Sequence, residues 1–166
     1  MEIKLSNIKL ITVLMLLVGL ISSIGCAKAE TIKTGISIEL EWSEDFPASE
    51  KIATEKNLPI LIDFSGSDWC GWCIKLDDEV FNTVEFKEYA DKNLVLLKAD
   101  FPKKLPQTDE LVKQNRDLME KYGVRGFPTI ILISSDGTLI GQTGYQPGGP
   151  VKYIEHLNSF LTKQEK

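Results

Sequence analysis

Two cysteines separated by two residues, Cys70 and Cys73, are the residues of this sequence best suited to chemistry. They follow an apolar run, residues 59–64, and stand at the head of residues 74–81, whose apolar spacing is typical of a helix. A cysteine pair between a strand and a helix is the arrangement of a redox centre. Backbone N–H groups and the helix dipole would stabilise the first thiol as a thiolate that attacks a disulfide. The second thiol is placed to resolve the resulting mixed disulfide.

Metal or haem binding is the alternative use of such a pair. A structural zinc site needs four ligands, usually with a second pair of Cys or His. The sequence offers a single histidine, His156, and one further cysteine, Cys26, near the N-terminus. Covalent haem attachment needs a histidine directly after the second cysteine, and Ile74 occupies that position. The pattern therefore favours redox chemistry, and no metal or cofactor beyond the Cys70–Cys73 pair is expected.

The composition is that of a globular chain with one domain. The 166 residues are 43% hydrophobic and 26% charged, which is enough for a single well-filled core. The formal net charge is -5 and the Lys and Arg residues form no cluster, which argues against nucleic acid as a partner. The sequence contains no internal repeat and no low-complexity tract. A monomer is expected.

Residues 1–29 have the pattern of an export signal. A lysine-containing start precedes an apolar block, residues 10–24, which is shorter than the roughly 20 residues that a membrane-spanning helix needs. Lipidation of Cys26 would leave it as the first residue of a lipoprotein, whereas cleavage after Ala29 would remove it. Either route leaves one reactive cysteine pair. The predicted location is periplasmic, or lipid-anchored on the outer side of a bacterial membrane.

The rest of the chain alternates predicted strands and helices. Strands that alternate with helices, followed by an antiparallel hairpin and a last helix, predict an α/β fold with a mixed central sheet flanked by helices. The run 59–64 is apolar at consecutive positions, which is typical of a strand covered on both faces. The predicted strands are 36–42, 59–64, 94–100, 129–133 and 138–143, and the predicted helices are 47–56, 74–81, 83–92, 109–122 and 151–161.

Two separated motifs carry a family resemblance. They are Asp63-Phe64 leading into Trp69-Cys70-Gly71-Trp72-Cys73, and Tyr122-Gly123-Val124-Arg125-Gly126-Phe127-Pro128-Thr129. With these motifs the sequence resembles the thioredoxin superfamily over about residues 37–162, which leaves 30–36 as a tether and 163–166 as a tail. The dipeptide Gly71-Trp72 differs from the Gly-Pro of thioredoxin itself. The motif instead resembles exported thioredoxin-like proteins in which Ser-Asp-Trp-Cys-x-x-Cys precedes a Lys-Leu pair, here Lys75-Leu76.

The resemblance implies a cis-proline that lies against the active-site disulfide. Phe127-Pro128 matches this bond, and the backbone of Phe127 would offer strand-like hydrogen bonds to a bound substrate chain. Trp69 and Trp72 flank the cysteine pair, and we expect them to form a partly exposed apolar rim that docks substrate chains. Packing of both rings in the core is the alternative.

Asp63 matches the aspartate that helps to move the proton of the second cysteine in thioredoxins. Desolvation in a doubly covered strand should raise its pKa. Six residues separate Asp63 from Cys70, one more than in typical thioredoxin, so a partly hydrated carboxylate at the strand end is the alternative. Leu96 stands where thioredoxin has a buried lysine, and Lys98, two residues on, is expected on the same face as Asp63.

Four other polar residues are expected to be solvent-exposed and to take no part in the chemistry. Asp68 is expected to be a solvated loop charge, and Lys103 and Lys104 are expected to solvate a second loop. His156 is expected on the surface of the last helix.

The predicted function is that of an exported thiol:disulfide oxidoreductase that reduces protein disulfides through a Cys70/Cys73 dithiol. Reduction is favoured over oxidation because the residue before the cis-proline is apolar, as in thioredoxin. The expected partners are proteins with disulfides or thiols, and a membrane electron donor, because export separates the protein from cytosolic reductants. Two alternatives stay open: a disulfide oxidase or isomerase of the same fold, and a non-catalytic binding or chaperone module.

Overall fold

A computed structural model describes residues 40–162. The predicted export signal, Cys26, the tether and the tail lie outside these residues. Within the described range no helix is long and apolar enough to cross a membrane. The helices are α1 (Phe46–Lys56), α2 (Gly71–Leu76), α3 (Val84–Asn93), α4 (Asp109–Lys121) and α5 (Gly149–Leu161), and a π-helical segment (Asp77–Phe81) directly follows α2. The strands are β1 (Ile60–Ser65), β2 (Val95–Asp100), β3 (Thr129–Ile133) and β4 (Leu139–Thr143).

The four strands form one mixed sheet in the order β2-β1-β3-β4. Strand β1 runs parallel to β2, with Asp63 opposite Lys98. It runs antiparallel to β3, which in turn pairs antiparallel with β4. The prediction that the run 59–64 forms a central, doubly covered strand is confirmed, because every residue of β1 is buried. The predicted mixed sheet flanked by helices is confirmed as well.

The two faces of β1 belong to two apolar clusters, because successive side chains of a strand point to opposite faces. Leu61 packs with Leu76, Val80 and Phe81 from the α2 side of the sheet. Asp63 is two residues from Leu61 and shares its face. The other face of the sheet packs against α1 and α4 through a second cluster, which includes Ile62 and Phe64 from β1, Ala53 from α1 and Leu118 from α4.

Local signals in the sequence start and end the helices. Thr108 caps α4, since its side chain accepts a hydrogen bond from the Leu111 N–H group. Gly123 follows the helix with a φ of 64°, a backbone conformation that glycine adopts without steric cost. Pro150 lies in the first turn of α5, where its missing N–H group costs no hydrogen bond.

Two predicted elements differ from the structure. The described part of the predicted strand 36–42, residues 40–42, is not a strand, and Ser43 alone pairs with Leu97 as an isolated parallel bridge. The predicted helix 74–81 is helical but changes type at Asp77, and the Asn82 N–H group donates to the Asp77 carbonyl oxygen at 2.8 Å. This hydrogen bond spans five residues, so the helix widens there.

Candidate active site

Strand β1 ends at a short loop that leads into the cysteine pair. Cys70 is the N-cap of α2, and its Sγ atom lies 3.2 Å from the Cys73 backbone nitrogen, which donates to it. The two cysteines form a disulfide with a Cα–Cα distance of 5.2 Å. The predicted order of strand, cysteine pair and helix is confirmed. The backbone N–H group at the helix start gives Cys70 the donor that favours a thiolate in the reduced state.

The two sulfurs differ in their access to solvent. Cys70 is 7% exposed, whereas Cys73 is 2% exposed and lies one helical turn inside the protein. A substrate disulfide therefore meets Cys70 first. Cys73 is the more enclosed of the two residues.

Trp69 forms one side of the active-site rim. Its indole N–H group donates to the Phe101 carbonyl oxygen at 2.8 Å, and its ring stands edge-on to Phe127 with centroids 6.0 Å apart. Gly66 lies directly beneath this ring, because a Cβ atom there would be 2.5 Å from the indole. The ring is 40% exposed despite these contacts. Trp69 is therefore held in a fixed position and still presents an apolar surface.

Trp72 forms the other side of the rim. It is 58% exposed, and its ring lies 5.1 Å from the ring of Tyr145. The Lys75 Nζ atom is 5.3 Å from both ring centroids, and the Tyr145 hydroxyl donates to Glu79 at 2.6 Å. Both tryptophans are thus too exposed to be core residues. Their proposed contact with substrate stays a prediction.

The peptide bond between Phe127 and Pro128 is cis, as expected from the resemblance. The Phe127 ring stacks on Phe101 with centroids 5.0 Å apart and also contacts Trp69. These contacts bring the cis bond to the same end of the molecule as the cysteine pair. Strand β3 begins at the next residue, Thr129, so the site is built on the middle of the sheet.

A hydrogen-bonded connection between two loops was missed by the sequence analysis. The carboxylate of Asp68 accepts from the backbone N–H groups of Lys103 at 2.9 Å and Lys104 at 2.6 Å, so Asp68 is not a free loop charge. These hydrogen bonds, that of Lys103 first, hold the pKa of Asp68 below its ordinary value. The Lys103 Nζ atom lies 3.9 Å above the Trp69 ring, so Lys103 does more than solvate its loop.

Asp100 makes a second connection between the same loops. Its carboxylate accepts from the backbone N–H and the hydroxyl group of Ser67, at 2.8 and 2.5 Å. It also accepts from the Phe101 N–H group at 3.0 Å. The extra residue between Asp63 and Cys70, relative to typical thioredoxin, was the signal in the sequence that could have drawn attention to this loop.

Asp63 lies on the same face of the sheet as α2 and is 2% exposed. Its Oδ2 atom is 3.4 Å from the Lys98 Nζ atom, and its Oδ1 atom has no hydrogen-bond partner among the described residues. Burial raises the pKa of this carboxyl to about 7, although the Lys98 ammonium acts in the opposite direction. The expectations of a raised pKa and of Lys98 on the same face are confirmed, while the proton-relay role stays a prediction.

A third charged residue, Asp77, completes this group and was not predicted. Its two carboxylate oxygens lie 3.0 and 3.3 Å from the Lys98 Nζ atom. Burial disfavours the Lys98 ammonium, but the charges of Asp63 and Asp77 together outweigh it and raise the pKa of Lys98. The spacing of Asp77, one helical turn after Cys73, was the signal that could have pointed to it.

His156 contacts residues of β4 and α5. Its Nε2 atom lies 2.9 Å from the Thr143 hydroxyl, and its ring stands edge-on to Phe160. Within residues 40–162 no group of three or more His, Cys, Asp or Glu side chains could hold a metal ion.

A disulfide at a helix start, an adjacent cis-proline and a buried carboxyl on the central strand define a thioredoxin-fold thiol:disulfide oxidoreductase.

The chain belongs to the thioredoxin-like domain family, whose pattern it matches over residues 46–158. It is 35% identical over 122 residues to the disulfide bond reductase DsbH of Chlamydia pneumoniae, which covers 74% of this chain and 73% of that protein. It is 29% identical over 170 residues to the thioredoxin-related protein DsbJ of Chlamydia pneumoniae, covering 97% of this chain and 49% of DsbJ. The solved structure of a DsbH oxidoreductase matches with a TM-score of 0.73 and 32% identity, over 82% of this chain and 96% of that chain.

Proposed function

We propose that this protein is exported and reduces disulfides in other proteins. The observation that carries the proposal is the Cys70 sulfur at the start of α2, where it accepts the Cys73 N–H group at 3.2 Å. That position favours a thiolate, and the thiolate is the attacking species in disulfide exchange.

The reaction transfers two electrons from the cysteine pair to the substrate. The Cys70 thiolate attacks one sulfur of the substrate disulfide, and the other sulfur leaves as a thiolate. The Cys73 thiolate then attacks Cys70 in the mixed disulfide. The bond between Cys70 and the substrate breaks, and the substrate leaves fully reduced. The Cys70–Cys73 disulfide that remains is the state seen in the structure.

Two observations support reduction over oxidation. The residue before the cis-proline is the apolar Phe127, and a relative with 35% identity is described as a disulfide bond reductase. A reductase must regain its electrons after each cycle. We propose a membrane electron donor, because an exported protein has no access to cytosolic reductants.

Substrate binding is assigned to the surface that surrounds the disulfide. The exposed rings of Trp69 and Trp72 would contact apolar side chains on both sides of the substrate cysteine. The backbone of Phe127, which precedes β3, would pair with the substrate chain as an added strand. The protein would act as a monomer, and no cofactor other than the cysteine pair is proposed.

Export and anchoring rest on the sequence of residues 1–29 alone. We propose a periplasmic location with a lipid on Cys26, and cleavage after Ala29 is the alternative. Mass spectrometry of the mature N-terminus separates the two routes. A Cys26→Ser variant that stays in the membrane fraction would overturn the lipid anchor.

Trapping of the mixed disulfide tests the proposed reaction. A Cys73→Ser variant should accumulate covalent adducts with substrate proteins that are released by dithiothreitol, because Cys70 attacks but nothing resolves the bond. The matched Cys70→Ser variant should accumulate few adducts, because Cys73 is enclosed. Absence of adducts with Cys73→Ser would favour a non-catalytic binding module.

The reduction potential of the pair tests the direction. Equilibration of the purified protein with glutathione buffers should give a value near roughly -270 mV for a thioredoxin-like reductant. A value near roughly -120 mV would identify an oxidant and overturn the reductase assignment.

A further inference from the structure

Three charged side chains form a network beneath the cysteine helix. Lys98 lies between Asp63, whose Oδ2 atom is 3.4 Å from its Nζ atom, and Asp77, whose Oδ2 atom is 3.0 Å from it. The exposed fractions of the side chains rise from 2% for Asp63 through 19% for Lys98 to 24% for Asp77. The network therefore connects a carboxyl in the core with a partly exposed carboxyl.

The network and Cys73 lie on the same side of the sheet. Asp63 shares its face of β1 with Leu61, which packs in one cluster with Leu76 of α2. Cys73 precedes Leu76 by three residues, which places both side chains on the inner side of that helix, and both are buried. Asp63 is thus the buried acid of the layer that contains the second cysteine.

Lys98 makes more and shorter contacts with the carboxylate of Asp77 than with that of Asp63. It donates to both carboxylate oxygens of Asp77, at 3.0 and 3.3 Å, while the Trp42 ring lies 5.6 Å from its Nζ atom. The Oδ1 atom of Asp63 has no hydrogen-bond partner among the described residues. One oxygen of the buried carboxyl is therefore left available.

We propose that Asp77 is a positioning residue for proton transfer at Cys73. By binding Lys98, it keeps this cation from pairing fully with Asp63, so that the Asp63 carboxylate can accept and return a proton. In the resolving step the Cys73 thiol gives its proton to Asp63. The Cys73 thiolate attacks Cys70, the bond between Cys70 and the substrate breaks, and the substrate sulfur leaves with the electron pair of that bond. Asp63 later returns the proton to water. This role rests on the proposed reductase function.

The titratable groups that act on Asp63 come from several elements. They are Lys98 and Asp100 of β2 and Asp77 of the π-helical segment. Burial and, after it, the charge of Asp63 in turn raise the pKa of Tyr153 of α5, and Cys70 and Cys73 do not titrate while they form a disulfide. Loss of the Asp77 charge lowers the pKa of Asp63 in two ways. It removes a repulsion that raises the pKa of Asp63, and it frees Lys98 to pair with Asp63.

The experiment is an NMR titration of the Asp63 carboxyl carbon in the oxidised full chain. In the Asp77→Asn variant we expect the midpoint to fall by about one pH unit, because a carboxylate with a full ion pair ionises more readily. Asp78→Asn is the matched control, since it removes the same charge from an exposed position of the same segment. Asp77→Glu should restore the wild-type midpoint. An unchanged midpoint in Asp77→Asn would overturn the proposal.

A second readout separates this proposal from the proposed function. The pH profile of insulin disulfide reduction should move to lower pH in Asp77→Asn and stay in place in Asp78→Asn. A merely structural role of Asp77 would instead lower the rate at all pH values without moving the profile. Failure of the wild type to reduce insulin would overturn the reductase function, while a moved midpoint would still support the action of Asp77 on Asp63. If Asp77→Asn does not fold, Asp77→Ser provides the same test.

Discussion

Asp63 and Lys98 lie opposite each other on two parallel strands, and the Lys98 Nζ atom is 3.4 Å from the Asp63 Oδ2 atom. The pairing is incomplete because Lys98 also binds Asp77 at 3.0 Å. The effect of burial therefore outweighs the attraction of the Lys98 ammonium and raises the pKa of Asp63 to about 7. The buried carboxyl of the central strand changes its protonation state near neutral pH, where proton transfer from a thiol is useful.

Replacement of Asp63 by Asn should make stability less dependent on pH. The folded-state pKa of about 7 lies above the ordinary value of 3.8, so the folded state binds a proton that the unfolded state has lost. This contribution is complete below pH 3.8 and disappears as the pH rises through about 7. Between about pH 5 and about pH 8 the wild type should lose about 2.5 kcal/mol of unfolding free energy that Asp63→Asn does not lose.

Urea unfolding of the oxidised proteins at both pH values measures this difference. Asp91→Asn, at an exposed position of α3, is the control for the loss of one negative charge. Equal pH dependence in the wild type and Asp63→Asn would show that Asp63 ionises alike in the folded and unfolded states.

Replacement of Lys98 by Met should raise the pKa of Asp63 further. The ammonium is the main attraction that opposes burial, and methionine keeps a long apolar side chain in its place. The midpoint of the Asp63 carboxyl in an NMR titration should rise by about one pH unit or more, opposite in sign to the effect of Asp77→Asn. Lys92→Met, on the exposed side of α3, should leave the midpoint unchanged. A lower midpoint in Lys98→Met would contradict the assignment of this ion pair.

The two tryptophans of the rim should respond differently to substitution by Phe. Trp69→Phe removes the indole donor to the Phe101 carbonyl oxygen and should cost about 1 kcal/mol of unfolding free energy. The Trp72 indole is exposed and its N–H group has no hydrogen-bond partner among the described residues, so Trp72→Phe should change stability by less than about 0.5 kcal/mol. Chemical denaturation and the KM for a protein disulfide measure the two effects. An unchanged KM in both variants would argue against substrate docking on the rim.

Replacement of Asp68 by Ala should loosen the loop that follows β2. The carboxylate accepts from the backbone N–H groups of Lys103 and Lys104, so these two amides should exchange faster with deuterium in the variant. The Cys73 amide, which donates to the Cys70 Sγ atom, should keep its wild-type rate. Asp78→Ala serves as the charge-matched control. Equal exchange at Lys103 and Lys104 in both proteins would mean that Asp68 does not hold the loop.

Patterns within short stretches of sequence were sufficient for most of the fold. The consecutive apolar residues 59–64 predicted a doubly covered strand, and β1 is the buried strand between β2 and β3. The cysteine spacing predicted a redox pair at a helix start, and the resemblance to thioredoxins implied a cis bond at Phe127-Pro128; both are present. The predicted strand 36–42 was wrong over residues 40–42, because alternation of apolar residues does not ensure a partner strand.

The sequence by itself determined the fold class, the reactive pair and the identity of the buried acid, because each depends on residue types at short spacing. Only the tertiary structure decided which charges meet. The strand period had placed Lys98 on the face of Asp63. Only packing brought Asp77, from the helix layer, within 3.0 Å of the Lys98 Nζ atom, which also lies 3.4 Å from Asp63. The pKa of a buried carboxyl depends on the desolvation and charges around it in three dimensions. The proton affinity of Asp63 is therefore a property of the folded molecule.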